Sequence, residues 1–153
     1  VAPLALPPAP PRAPREQNTH PAWVLRLPAI ASSVGAVRTA ARERLRAWGV
    51  AAPVCDDALL VVSELVTNVI AHTFSDHLEC RLRAEAGHLR IEVEDQMRTG
   101  TVPAPRTPAP DDHGGRGLLL VGAVSSAWGV EDAPHGRGRT VWAELPSRTE
   151  ECR

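Results

Sequence analysis

The stretch Glu64-Leu65-Val66-Thr67-Asn68-Val69-Ile70-Ala71-His72, ELVTNVIAH, decides how the chain folds. It continues an apolar run in which Ala58, Leu59, Val62, Leu65, Val66, Val69 and Ile70 occupy most of a helix circumference, so the helix belongs inside the molecule. Pro53 suits its first turn, Asp56 and Asp57 suit its positive end, and the periodicity carries it to about Thr73. Glu64 and Asn68 fall about 40° apart in projection, on a narrow polar side beside Thr67. Polar groups on a helix that is otherwise buried need a partner, and a ligand or ion is one candidate.

The flanks supply the rest of a two-layer domain. Upstream, Trp23, Leu25 and Leu27 alternate with Val24 and Arg26, a short strand that Pro28 ends or confines to an edge. Ser32 or Ser33 is placed to cap the next helix, where Val34, Val37, Ala41, Leu45 and Trp48 form one stripe and Arg38, Arg42, Glu43 and Arg46 the wet side. Downstream, Leu78, Cys80, Leu82 and Ala84, then Leu89, Ile91 and Val93, mark two strands turning at Gly87. Continuing the second alternation sets Asp95 on the apolar side, under the helices rather than in water. A long proline-bearing stretch, Met97 to Asp112, then leads through Gly114, Gly115, Arg116 and Gly117 into the apolar helix Leu118–Val124. Loops of this length are often lids or binding segments. Two last strands, around Trp128–Val130 and Thr140–Leu145, join through Gly136 and Gly138. The expected fold is an α+β two-layer sandwich, a mixed sheet of about five strands covered by about three helices over residues 22–146.

Composition narrows the function classes. With 153 residues, 43% hydrophobic and 23% charged, the chain suits one globular domain, and a net charge of -1 with arginines dispersed among acids argues against a nucleic-acid binder. Cys55, Cys80 and Cys152 have neither metal-ligand spacing nor a paired framework, which fits a reducing, cytoplasmic setting. No apolar run approaches the roughly 18 residues of a membrane span, and the opening residues lack the pattern of a secretory leader. Residues 1–21 carry seven prolines and are expected to form a disordered arm, with a proline-rich partner ligand as the alternative; residues 147–153 form a tail. The histidines show no zinc spacing. His72, at the end of the decisive helix, is assigned no chemistry.

The polar residues singled out form a set with chemical sense for a nucleoside triphosphate. Asn68 offers an uncharged oxygen to a hard magnesium ion, and Glu64 a base for an attacking water or hydroxyl. Asp95 is an acceptor for the exocyclic amine that distinguishes adenine. Gly115 and Gly117 open a helix whose first amides attract phosphate, and Arg139 with Thr140 would add charge and a hydroxyl near the phosphate tail.

These segments together resemble the GHKL superfamily of ATP-binding domains. ELVTNVIAH resembles its N box, IEVED (91–95) and GGRGLLLV (114–121) are similar to its two glycine boxes, and GRTVWAEL (138–145) to its closing strand. The resemblance runs from about Trp23 to Leu145 and looks closest to small bacterial anti-sigma-factor serine kinases, with the Bergerat-type fold. It implies ATP and Mg2+ as cofactors, Glu64 in the catalytic position, and Asn68 as magnesium ligand. Asp95, Gly115, Arg116, Gly117, Leu118 and Thr140 complete the nucleotide site. It further implies phosphoryl transfer to a serine of an antagonist protein, a sigma factor or its antagonist as partner, and a homodimer. The alternatives are a non-catalytic ATP-responsive interaction module and a protein-only binder of the same fold. Two positions depart from the family pattern: Met97 stands where a small residue is usual, and Arg139 where lysine is common.

Overall fold

The computed structural model describes residues 21–72, 75–96, 114–132 and 138–147. The amino-terminal arm, the stretch after Asp95 that contains Met97, and the carboxy-terminal tail fall outside those residues. So does Gly136. The elements run β1 (Ala22–Pro28), α1 (Ser33–Ala47), α2 (Ala52–His72), β2 (His77–Glu85), β3 (His88–Gln96), α3 (Gly114–Val124), β4 (Ala127–Asp132) and β5 (Arg139–Pro146). The α+β reading holds, with five strands and three helices among the described residues.

The sheet order is β1-β2-β3-β5-β4. All four pairings are antiparallel, whereas a mixed sheet was expected. The reason lies in the β4–β5 hairpin. The crossover through α3 leaves β4 running in the same direction as β3, but β5 returns into the position between them, so the two parallel strands never touch. Edge strands are β1, which Pro28 ends, and β4.

The start and end of α1 have local causes. At the end of α1 the amides of Gly49 and Val50 donate to the carbonyls of Arg46 and Leu45, at 3.0 and 3.1 Å, and Gly49 adopts φ 73° to close this C-terminal motif. At its start the expected serine cap is absent: Ser32 makes no side-chain cap bond. The Ser33 hydroxyl instead donates to the Pro28 carbonyl at 2.7 Å, tying the helix to the end of β1. Between α1 and α2, Arg38 donates to the Ser63 hydroxyl, which in turn donates to the Leu59 carbonyl.

Both helix stripes meet the sheet as their periodicity requires. Val37, Ala41 and Leu45 of α1 and Ala58, Val61, Val62, Leu65 and Val66 of α2 are fully buried, and so are Leu78, Cys80, Ile91, Val93 and Ala143 from the sheet. Among the described residues, helices cover this inner face only. The outer face carries charge instead: Arg81 bridges Glu79, Glu92 and Glu94, while Arg90 bridges Glu92 and Glu144 and stacks on Trp142 at 4.5 Å from the ring centroid.

Candidate functional site

Alternation along β3 delivers Asp95 to the inner face with Ile91 and Val93, and the residue is only 5% exposed. Its β2 partner, Leu78, is fully buried. An isolated carboxylate there would be costly, but this one has partners. The buried Ser75, just before β2, donates its hydroxyl to Asp95 Oδ1 at 3.0 Å. The backbone amide of Arg139, at the start of β5, is a second donor to the carboxylate. Desolvation still raises the Asp95 carboxyl above its ordinary range; Ser75 and the charge and amide of Arg139 oppose that rise, and Glu94 adds to it.

Gly138 is what lets β5 come so close. It has φ 101°, a left-handed conformation, and a Cβ there would lie 2.4 Å from the Asp95 carbonyl oxygen and 2.6 Å from Oδ1. A glycine is therefore required twice over at this point, by backbone angle and by space.

Glu64 and Asn68 are the polar residues of α2 that are neither core nor fully wet. Both are half-buried, while Leu65, Val66 and Val69 between and beside them are buried and Thr67 is exposed. Because α2 packs on β3 and β5, the helix and Asp95 belong to one side of the sheet. The backbone of Gly115, Arg116, Gly117 and Leu118 forms the first turns of α3, which packs against α2.

Thr140 stands apart from that group. It pairs with Glu94 across β3 and β5, so its side chain shares the outer face with Glu94 rather than the inner face with Asp95. Alternation gives Arg139 the Asp95 side. The physical reason is the period of two: of two adjacent strand residues only one can face inward. Ser75 and Gly138 went unassigned from the sequence. Ser75 lies 20 residues from Asp95 and follows no periodic pattern; the positive φ of Gly138 had a signal only in the glycine-rich turn.

Other features are quiet. A cleft of about 60 Å3 opens between β1, β2 and β3, lined by Val24, Arg81, Arg83, Arg90 and Glu92 among others, away from Asp95. Among the described residues no three His, Cys, Asp or Glu side chains converge to hold a metal. Cys55 and Cys80 are buried free thiols, and burial pushes the Cys80 thiol up to about 12. His72 is exposed at the last turn of α2. Among the described residues no helix is long and apolar enough to cross a membrane.

Comparison with solved structures returns the same architecture. The chain is similar to the RsbU and RsbW domains of Rv1364c from Mycobacterium tuberculosis, with TM-score 0.57 and 22% identity over 84% of this chain. This chain spans about a third of that one, 34%. It is also similar to the SiaB–SiaC complex from Pseudomonas aeruginosa, with TM-score 0.55 and 16% identity over 80% of this chain and 89% of that one. At these identities the likeness is one of fold. No curated protein matches the sequence. The family described as histidine kinase-like ATPase domain matches residues 27–145. With the N-box helix over the sheet, the buried Asp95 on β3 and a family match spanning most of its length, the chain belongs to the histidine kinase-like ATPase domain family of GHKL-type ATP-binding proteins.

Proposed function

We propose that this protein binds Mg-ATP and acts as a regulatory serine kinase, moving the γ-phosphoryl group to a serine of an antagonist protein. The observation that carries the nucleotide reading is the Asp95 carboxylate, buried under the helix layer and held by Ser75 and the Arg139 amide. An acceptor fixed in an apolar setting suits the exocyclic amine of adenine, and the carboxylate keeps lone pairs beyond those its two protein donors use. The donor set also fits magnesium of the shared kind: Asn68 offers one neutral oxygen, and phosphate oxygens and water would complete the shell. When bound, that ion supplies charge neutralisation on the phosphates.

The chain's own residues then have distinct tasks. Asn68 would hold the ion from α2. The opening amides of α3, from Gly115 to Leu118, receive phosphate oxygens, since a helix start has unpaired donors and positive partial charge. Arg139, on the Asp95 side of β5, adds a cation near the same region. Glu64, one turn before Asn68, takes the proton of the attacking serine hydroxyl as its oxygen bonds to the γ-phosphorus and ADP departs. A protein partner is supported by the neighbouring SiaB structure, which was solved as a complex with SiaC.

The test has two arms. Titration of Mg-ATP by calorimetry should show binding to the parent and at least a tenfold loss in Asn68→Ala, about 1.4 kcal/mol or more. Labelled ATP offered with candidate antagonists should give a phosphoserine product that Glu64→Gln reduces by about 100-fold or more. Binding without transfer to any antagonist would remove the kinase assignment and leave an ATP-responsive interaction module.

A further inference from the structure

We propose that Ser75 is a positioning residue for base selection: by holding Asp95 at Oδ1 it keeps the carboxylate a pure acceptor, and so lets the site prefer adenine over guanine nucleotides. The inference rests on the nucleotide reading of the site given above and adds a residue to it.

The geometry begins with Asp95 being only 5% exposed and Ser75 only 8%. The serine hydroxyl donates at 3.0 Å to Oδ1, the oxygen that Gly138 also approaches. Strand pairing alone does not fix this carboxylate. Its β2 neighbour is Leu78, which has no polar group to offer. The tether comes from Ser75 on one side and the start of β5 on the other.

The chemistry turns on which state of the carboxyl the base meets. An ionised carboxylate accepts only, so it pairs with the amine of adenine and repels the carbonyl that guanine has at that position. A protonated carboxyl has a hydroxyl and can donate to that carbonyl, which erases the distinction. Burial pushes Asp95 toward the protonated form, Glu94 on the same strand does the same, and Ser75 and Arg139 oppose them. In the carboxy-terminal half of α2 the titratable groups are the half-buried Glu64 and the exposed His72, and beside Ser75 they are the exposed Asp76 and the half-buried His77. Ser75 is the side-chain donor in this balance, and a hydrogen bond to a charged acceptor is among the stronger kinds.

The experiment compares the parent with Ser75→Ala and Ser75→Thr, the latter keeping the hydroxyl. ATP and GTP affinities are measured from about pH 4 to about pH 8, from the ordinary aspartate range to beyond neutrality. The Asp95 carboxyl is also titrated by carbon NMR in the nucleotide-free protein. In Ser75→Ala we expect ATP affinity at neutral pH to fall about tenfold with GTP affinity little changed. The pH below which ATP binding is lost moves upward, as does the Asp95 midpoint in the free protein, and Ser75→Thr restores both. A Ser75→Ala protein with the parental Asp95 midpoint and parental ATP-to-GTP ratio overturns the role of Ser75 while leaving the nucleotide site intact. A parent that binds neither nucleotide overturns the site itself, and a Ser75→Ala chain that loses both nucleotides equally with no midpoint shift assigns Ser75 to folding alone.

Discussion

Asp95 is subject to opposing demands from folding and from binding. Removing a carboxylate from water disfavours its charged form, and its carboxyl is accordingly raised, with desolvation the leading cause. A raised folded-state value means that the folded protein holds the proton more tightly than the unfolded chain. Between the unfolded value and the raised folded one, stability therefore falls as pH rises, and at neutral pH the ionised side chain carries that cost in full. Asp95→Asn retains an oxygen for Ser75 and Arg139 but has no charge. Its unfolding free energy by urea denaturation should equal or exceed the parent's at neutral pH, and the difference should shrink as the pH falls through the Asp95 window. The same substitution should abolish ATP binding. A neutral-pH loss of stability would show instead that the charge holds β3 and β5 together.

The elements show how one sequence period yields two different surfaces. Along β2 and β3 the helix-facing residues Leu78, Cys80, Leu82, Leu89, Ile91 and Val93 are apolar and buried, and those facing outward are arginines, glutamates and histidines. Glu94 is nevertheless only 2% exposed on that outer face, because Arg81 lies against it with a contact of 2.8 Å. The Arg81 side chain is itself about a third exposed, at 32%, so water screens part of the attraction. Truncating the arginine costs more than the pair contributes, since the carboxylate loses one counter-charge while still buried. Arg81→Met is expected to lower stability by about 1–3 kcal/mol. The double variant Arg81→Met, Glu94→Gln should recover a good part of it, and a double-mutant cycle measured by thermal and urea denaturation gives the coupling. Additive losses would mean that the two charges act independently.

At the scale of the whole molecule, the proposed nucleotide site and the core share one wall. Asp95, Ser75 and the start of β5 bring together residues from three places in the chain, and α2, which carries Glu64 and Asn68, also contributes Leu65, Val66 and Val69 to the core. A ligand that binds the folded state alone stabilises it by mass action, about 2.7 kcal/mol at 100 times its dissociation constant. Mg-ATP at that excess should raise the melting temperature of the parent measurably and that of Asn68→Ala by about half as much or less; equal shifts in both would place magnesium elsewhere.

The sequence by itself determined the elements and their faces. Apolar residues at helical spacing in α1 and α2 and at alternate positions in β2 and β3 have one way to be buried together, and Asp95 follows from the same alternation. That Glu64 and Asn68 are half-buried polar positions on α2 follows from how conspicuous polar residues are on so apolar a helix. Tertiary structure decided what no local period encodes: the insertion of β5 between β3 and β4, the outward turn of Thr140, and the meeting of Ser75 and Gly138 at Asp95. Those outcomes depend on which backbone segments come together in space, and a hydrogen bond between residues 20 positions apart leaves no trace in the spacing of either.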